Sequence, residues 1–159
     1  MVKEKGMRTG LRIIALAAGL VCAFQCQAQS SGTAFPKGEL SNAKNHTGQI
    51  WLNELNVGNS TFDPGIAQAV YGAGAKLDWH IHPGGQVLLI IEGTGYYQER
   101  GKPVRIVHKG DVIQCAAGVE HWHGAAPNSD FAYIAVTPTR NGKTIWLEPV
   151  SEKDYRSAQ

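Results

Sequence analysis

The sequence has no large excess of charge of either sign, with 15 Lys and Arg residues against 13 Asp and Glu residues. Four of the basic residues, at positions 3, 5, 8 and 12, lie at the start of the chain beside one acidic residue, Glu4. The chain from position 29 onward therefore carries 11 basic and 12 acidic residues, a net charge near −1. This balance gives no reason to expect nucleic acid or an anionic surface as a partner.

Long apolar runs are also missing. The run Ile13–Phe24 has twelve residues, whereas a transmembrane helix needs about 20. It follows the basic start, and the small residues Cys26 and Ala28 stand at the −3 and −1 positions of a cleavage site before Gln29. We predict that residues 1–28 are a signal peptide, that the mature protein is exported to the periplasm or secreted, and that no membrane contact remains after processing. An uncleaved membrane anchor is the alternative, which the length disfavours.

Cysteine is scarce, with three residues in the whole chain. Cys22 and Cys26 fall within the predicted signal peptide, so only Cys115 remains and no intramolecular disulfide can form. A lone thiol in an exported protein could be reactive or could pair between chains. Because Cys115 lies in the apolar run "DVIQCAAG", we expect a small buried core residue.

From Gln49 onward, short β-type runs alternate with turn residues, a pattern typical of an all-β sandwich or barrel. We predict one domain over residues 49–159, preceded by a polar arm over residues 29–48. Ser151, with Asp154 three residues later, indicates a short helical turn near the C-terminus. The predicted strands are Ile50–Asn56, Ile66–Tyr71, Lys76–His82, Gln86–Ile91, Tyr96–Arg100, Val104–His108, Asp111–Cys115, Val119–His123, Phe131–Thr137 and Thr144–Leu147.

Two pairs of histidines, each spaced by one residue, stand out from this pattern: "HIH" at 80–82 and "HWH" at 121–123. Six histidines in 159 residues would give about 0.2 such pairs by chance. Alternate side chains of a strand point to the same face, so each pair shares one face. Two strands that aim imidazoles into one barrel interior could hold a metal ion. Two unrelated pairs on solvated faces, or core histidines, are the alternative.

The residues around these pairs resemble the two motifs of the cupin superfamily in their spacing. The first segment is "GAKLDWHIHPGGQVLLIIEG" and the second is "GDVIQCAAGVEH". Gln86 stands where cupins usually have Glu, and Ala116 where they usually have Pro. The resemblance implies a single-domain double-stranded β-helix, or jelly-roll barrel. It also implies four metal ligands, which are His80, His82, Gln86 and His121.

A narrower resemblance covers roughly residues 50–156. The stretches "WHIHPGGQ", "KGDVIQCAAGVEHWHGAAPNS" and "WLEPVSEKDYR" are similar to the small manganese-containing cupins of bacteria that act as (R)-selective hydroxynitrile lyases. Those enzymes share the set of three His and one Gln. This sequence differs from them in its export signal, and it has Tyr133 where they tend to have a further pocket histidine.

The implied ligands are all neutral, which would leave a divalent ion its full charge. Such an ion is a strong Lewis acid toward a hydroxyl, a carbonyl or a water. Four protein ligands leave two open positions on an octahedral ion but none on tetrahedral zinc. We therefore favour Mn(II), with Fe(II) next, although affinity alone would favour copper, nickel or zinc.

His123 shares a face with His121, yet the cupin spacing already assigns the fourth ligand. A neutral imidazole beside a Lewis acid is a candidate general base. The resemblance to the hydroxynitrile lyases implies that His123 accepts the proton of the substrate hydroxyl. A hydrogen bond to one of the ligands is the alternative role.

Strand parity also suggests the pocket wall. Ala67, Ala69 and Tyr71 share a face of one strand. The two alanines would leave room for an aryl or alkyl group, although core packing explains them equally well. On another strand Tyr133 and Thr137 share a face and would supply hydrogen bonds to the substrate. Asp78 shares a strand face with His80 and His82 and could therefore contact the site. An exposed aspartate at the start of the strand is the simpler expectation.

We expect a metal-dependent lyase that acts on a small organic molecule through His123, Tyr133 and Thr137. A cupin dioxygenase with Fe(II) or Mn(II) and a non-catalytic module that binds a metal or small ligand are the alternatives. Barrels of this kind often pair through edge strands, so a homodimer or a higher homo-oligomer is expected.

Overall fold

The computed structural model describes residues 34–158. The predicted signal peptide, residues 1–28, lies outside the described residues. Within the described part the chain is almost entirely β-structure with one short helix, as the sequence predicts. No helix in that part is long and apolar enough to cross a membrane. The elements are β1 (Glu39–Leu40), β2 (His46–Thr47), β3 (Ile50–Asn56), β4 (Pro64–Tyr71), β5 (Lys76–Leu77), β6 (His80–Ile81), β7 (Gln86–Glu99), β8 (Arg105–His108), β9 (Val112–Cys115), β10 (His121–Ala125), β11 (Phe131–Pro138), β12 (Ile145–Trp146) and α1 (Glu152–Arg156).

The strands pair antiparallel in two sheets that share β7. One sheet has the order β1-β3-β4-β11-β7-β9. The other joins β2, β5, β10, β7 and β8, with β6 paired to β10 and β12 paired to β6. The first half of β7 pairs with β11 and β9, and its second half pairs with β10 and β8. The sheet therefore curls around an interior, which confirms the predicted jelly-roll barrel.

One predicted turn is wrong. The glycine-rich stretch "EGTG" at residues 92–95 was expected to separate two strands, but it lies inside the continuous strand β7. Gly93 has a φ of 73°, and a Cβ there would lie 1.8 Å from the backbone oxygen of Asp130. Glycine is needed because the strand bends here from one sheet into the other.

Residues 39–40 and 46–47 of the polar arm form strands that the sequence pattern did not indicate. β1 pairs with β3 of one sheet, and β2 pairs with β5 of the other. The segment between them thus runs from one sheet to the other across the barrel. Backbone hydrogen bonds hold both ends, from Ser41 N to Ile50 O (2.8 Å) and from Asp78 N to Asn45 O (3.0 Å).

Two apolar clusters hold the barrel together. Inside it, Leu88, Val107 and Phe131 are fully buried with the small residues that line the interior. Outside it, Tyr155 of the C-terminal helix packs on Trp122, which in turn contacts Trp79. That helix begins at the predicted cap, since the Ser151 Oγ accepts a hydrogen bond from Asp154 N at 3.0 Å.

Candidate metal centre

Three imidazoles converge in the barrel interior. His80 lies in β6, His82 follows that strand, and His121 begins β10 directly opposite His80. Their candidate ligand atoms all lie within 4.8 Å of one another. All three side chains are buried. The pairing of β6 with β10 thus brings together the two motifs that the sequence analysis singled out.

Each of the three imidazoles is oriented by a hydrogen bond at Nδ1. The Nδ1 of His80 contacts the backbone oxygen of Asp78 at 2.8 Å, and that of His121 contacts the backbone oxygen of Val119 at 2.9 Å. The Nδ1 of His82 contacts the Thr144 hydroxyl at 3.2 Å. A carbonyl accepts only from N–H, which leaves the Nε2 of His80 and of His121 as a lone-pair donor.

Burial keeps these imidazoles neutral. It lowers the pKa of His80 to about 3, with the neighbouring His121 adding to the effect. It likewise lowers the pKa of His82 to about 4 and moves the pKa of His121 below its ordinary value. A neutral imidazole is the form that binds a metal ion.

Gln86 lines the same cavity as His80 and His82. Its Nε2 donates to the Thr137 hydroxyl at 3.0 Å. Its Oε1 is buried and has no hydrogen-bond partner among the described residues. Because the amide nitrogen is engaged, the oxygen is the atom left to act as a ligand.

The turn between His82 and Gln86 fixes the distance between these two side chains. The backbone oxygen of His82 accepts from Gly85 N at 3.0 Å and from Gly118 N at 3.1 Å. Gly85 has a φ of 77°, and a Cβ there would approach the backbone oxygen of Cys115 to 2.9 Å. Glycine is therefore required where the two motif loops touch.

These donors fit a divalent cation. The Nε2 atoms of His82 and His121 and the Oε1 of Gln86 are buried without partners in the described part of the chain. Buried acceptors left unpaired cost about 1–3 kcal/mol each unless something satisfies them. Three imidazole nitrogens and one amide oxygen suit a divalent ion and, being neutral, leave its charge uncancelled.

His123 is a fourth buried imidazole that stands outside the ligand group. Its ring lies 5.1 Å from that of His80 and stacks on His121 at 5.9 Å, between centroids. Both of its ring nitrogens are buried without a hydrogen-bond partner among the described residues. Burial, reinforced by the three other histidines, holds its pKa well below the ordinary value. His123 is thus a neutral imidazole whose lone pair no described residue uses.

The site opens into a cavity of about 380 Å³. Its lining includes the polar side chains of His80, His82, Gln86 and His123. It also includes small and apolar side chains, which are those of Ala67, Ala69, Ala135, Ile50, Leu52 and Leu77. The two alanines that strand parity placed on one face therefore do line the pocket, and they leave room for an apolar group of a ligand.

Comparison with known proteins agrees with this geometry. Residues 68–137 match the cupin domain family. A curated protein of Granulicella tundricola, named (R)-mandelonitrile lyase, is 38% identical over 98 residues, which are 59% of this chain and 75% of that protein. A cupin-like protein of Thermotoga maritima is 40% identical and superposes with a TM-score of 0.77, covering 80% of this chain and 97% of its own.

The chain belongs to the cupin family. It resembles the bacterial hydroxynitrile lyases among its members, as the motifs predict. A further structure from Thermotoga maritima, a predicted oxalate decarboxylase, shares the cupin fold with a TM-score of 0.55 at 23% identity, over 69% of this chain and 91% of its own.

The four predicted metal ligands and His123 thus lie around one interior space of the cupin barrel. Tyr133 and Thr137 also line its cavity. The Thr137 hydroxyl accepts from the Gln86 amide, which gives this residue a positioning role that parity alone did not indicate. The substrate contacts assigned to both residues stay predictions.

Two other expectations have clear outcomes. Cys115 is 3% exposed, as expected for a core residue, and burial raises the pKa of its thiol to about 12. Asp78 is 7% exposed rather than solvent-exposed. The expectation of an exposed residue at a strand start is therefore wrong. Asp78 lies between β5 and β6, where the strand is interrupted, and its side chain is buried there.

Tyr71, which the sequence places on the same strand face as Ala67 and Ala69, also lines the cavity. Its hydroxyl hydrogen-bonds to that of Tyr133 at 2.5 Å in full burial, a contact between two strands that the sequence did not indicate. Sequence reasoning missed the arm segment: Ser41, Asn45 and His46 line the cavity, and only the histidine could have drawn attention to that stretch.

Proposed function

We propose that this cupin is a metal-dependent lyase that cleaves a small hydroxynitrile into an aldehyde or ketone and hydrogen cyanide. The observation that carries the proposal is His123, a buried neutral imidazole with no hydrogen-bond partner among residues 34–158. It lies next to three converging imidazoles and lines a cavity that also has apolar side chains. The 38% identity to a protein named (R)-mandelonitrile lyase supports the choice of reaction.

The residues divide the work as follows. His80, His82, Gln86 and His121 would hold one divalent ion, preferably Mn(II), which supplies Lewis acidity toward the substrate hydroxyl when bound. His123 takes the hydroxyl proton, since its imidazole is neutral and the cavity brings a small ligand to it. The apolar wall of Ala67, Ala69 and Ala135 receives the organic group and excludes water from the reacting carbon.

The test combines metal analysis with turnover of mandelonitrile under nitrogen. We expect close to one metal ion per chain in the wild-type protein, and activity without oxygen. His121→Ala should lose the metal and the activity together. His123→Ala should keep the metal but lose about 10²- to 10⁴-fold in kcat, the usual contribution of a general base.

His108→Ala is the matched control, because this exposed histidine lies in β8 away from the cavity. It should retain both metal and turnover. A folded and active metal-free protein would refute the metal site, and equal loss of metal in both site variants would refute the role of His123. Turnover that requires oxygen would indicate a dioxygenase instead.

We also propose that the mature protein is exported after removal of residues 1–28 and that it forms a homodimer. The basic start and short apolar run support export. N-terminal sequencing of the protein recovered from a periplasmic fraction, with light scattering of the same sample, tests both proposals. A mature start at Gln29 and twice the chain mass are the expected results.

A further inference from the structure

The buried tyrosine pair of this cupin has one hydrogen-bond donor more than the described residues use. Tyr71 in β4 and Tyr133 in β11 lie on neighbouring strands and are 1% and 4% exposed. Their hydroxyls share one hydrogen bond of 2.5 Å. Two phenols offer two O–H donors, and a single bond between them uses one. The phenol that accepts in this bond keeps its own O–H free.

This spare donor has no partner elsewhere in the described part of the chain. Neither tyrosine hydroxyl makes a second hydrogen bond there, and both nitrogens of the adjacent His123 are unpartnered. The rings of Tyr133 and His123 stand perpendicular with centroids 5.1 Å apart, so they contact edge to face. A buried hydroxyl without an acceptor costs about 1–3 kcal/mol, which makes a ligand in the cavity its natural partner.

The chemistry of the pair suits hydrogen bonding rather than proton transfer. Burial raises the pKa of Tyr71 and of Tyr133 above the ordinary value, so both stay protonated. Donation from one phenol to the other also polarises the second O–H and strengthens it as a donor. Both residues line the same cavity as His123, His80 and His82. The pair therefore presents a neutral donor beside the proposed base.

We propose that the Tyr71–Tyr133 pair binds the nitrile nitrogen of the substrate and then the cyanide that leaves. This inference rests on the proposed function. In the reaction the hydroxyl proton passes to His123, the hydroxyl oxygen forms the carbonyl bond, and the electron pair of the broken C–C bond leaves with cyanide. The phenol donates a hydrogen bond to that anion and keeps its proton. His123 then returns the proton, which yields hydrogen cyanide.

A pair of ligands of matched shape tests the donor. Benzonitrile offers a nitrogen acceptor, whereas ethynylbenzene has nearly the same size and offers none. Titration calorimetry of the metal-loaded wild-type protein should show about fivefold tighter binding of benzonitrile, the equivalent of one neutral hydrogen bond near 1 kcal/mol. The double variant Y71F/Y133F should lose this preference and keep the wild-type affinity for ethynylbenzene. Metal content is measured in each sample. If the metal ion rather than the tyrosine pair bound the nitrile, the preference for benzonitrile would be the same in the wild type and in Y71F/Y133F.

Tyr97→Phe is the matched control. Tyr97 is a buried tyrosine whose ring lies 5.7 Å from that of His121, but its hydroxyl donates to Glu99 and it does not line the cavity. This variant should retain the fivefold preference. Equal binding of the two ligands by the wild-type protein, or a preference that survives in Y71F/Y133F, would overturn the proposal.

If the double variant does not fold, the proposal can be tested on the wild-type protein labelled with 3-fluorotyrosine. Incorporation of 3-fluorotyrosine makes every phenol more acidic and a stronger donor, so the preference for benzonitrile should rise, and an unchanged ratio would overturn the proposal. Both ligands bind without turnover, which separates this test from that of the lyase. A protein that prefers benzonitrile but leaves mandelonitrile intact would refute the reaction and retain the donor pair.

Discussion

Thr137 shows how much one hydroxyl can determine at the scale of a residue. Its hydroxyl accepts a hydrogen bond from the Gln86 Nε2, and the buried amide oxygen of Gln86 is left without a hydrogen-bond partner among the described residues. Without that bond the amide could rotate and present its nitrogen, which cannot bind a metal ion. Groups that orient a ligand in this way typically contribute 10- to 100-fold to metal affinity.

We therefore predict that Thr137→Val weakens metal binding by about tenfold while the protein stays folded. Valine keeps the shape of threonine and removes only the hydroxyl. Competition with a chelator of known affinity measures the change. Thr94→Val, on the same strand as Gln86 but beyond its bend, is the control and should bind the metal as the wild type does. Unchanged affinity in Thr137→Val would mean that the amide is held by other contacts.

Residue identity and spacing predicted the histidines well but their supporting partners poorly. His80, His82 and His121 were recognisable because alternation along a strand fixes which side chains share a face. The partners of their Nδ1 atoms could not be predicted in the same way. Two are backbone oxygens, which carry no sequence signal, and the third, Thr144, is 62 positions from His82.

At the scale of elements, the sequence did not predict β1 and β2, because the segment that contains them has a polar composition typical of a loop. β1 and β2 have two residues each, too few to show any period. Their attachment depends on side chains far along the chain: Gln68 donates to the backbone oxygens of Phe35 and Pro36, and Asn53 donates to that of Pro36. The bend of β7 was misread for a related reason, because glycines mark a bend and a turn alike.

We predict that a chain beginning at Gln49 is less stable than one beginning at Ala34. The truncation removes both arm strands and leaves the fully buried amide of Gln68 without its acceptors. A loss of roughly 3 kcal/mol would lower the melting temperature by on the order of 10 °C. Thermal unfolding followed by circular dichroism measures it. Equal melting temperatures for the two chains would show that the arm is dispensable to the barrel.

At the scale of the whole molecule, the candidate ligands are brought together only by folding. His80 and His121 are separated by 41 positions and meet because β6 pairs with β10. An unfolded chain cannot hold one ion with all four groups at once, so a bound ion should stabilise the native state.

We predict that metal at about 1,000 times its dissociation constant stabilises the fold by about 4 kcal/mol. Chelation should then lower the melting temperature by on the order of 10 °C, as scanning calorimetry would show. His80→Ala serves as the control, since its melting temperature should not respond to metal. A wild-type protein whose melting temperature ignores both metal and chelator would contradict the assignment of the centre.

The unlike walls of the cavity have a consequence for stereochemistry. Donor nitrogens, a phenol pair and small aliphatic side chains all line the same interior space at fixed positions. A carbon atom that bears a hydroxyl, a linear polar group and a bulky apolar group can meet three fixed partners of this kind in only one of its two mirror-image forms. The barrel should therefore bind one enantiomer of such a molecule more tightly than the other, before any bond is broken.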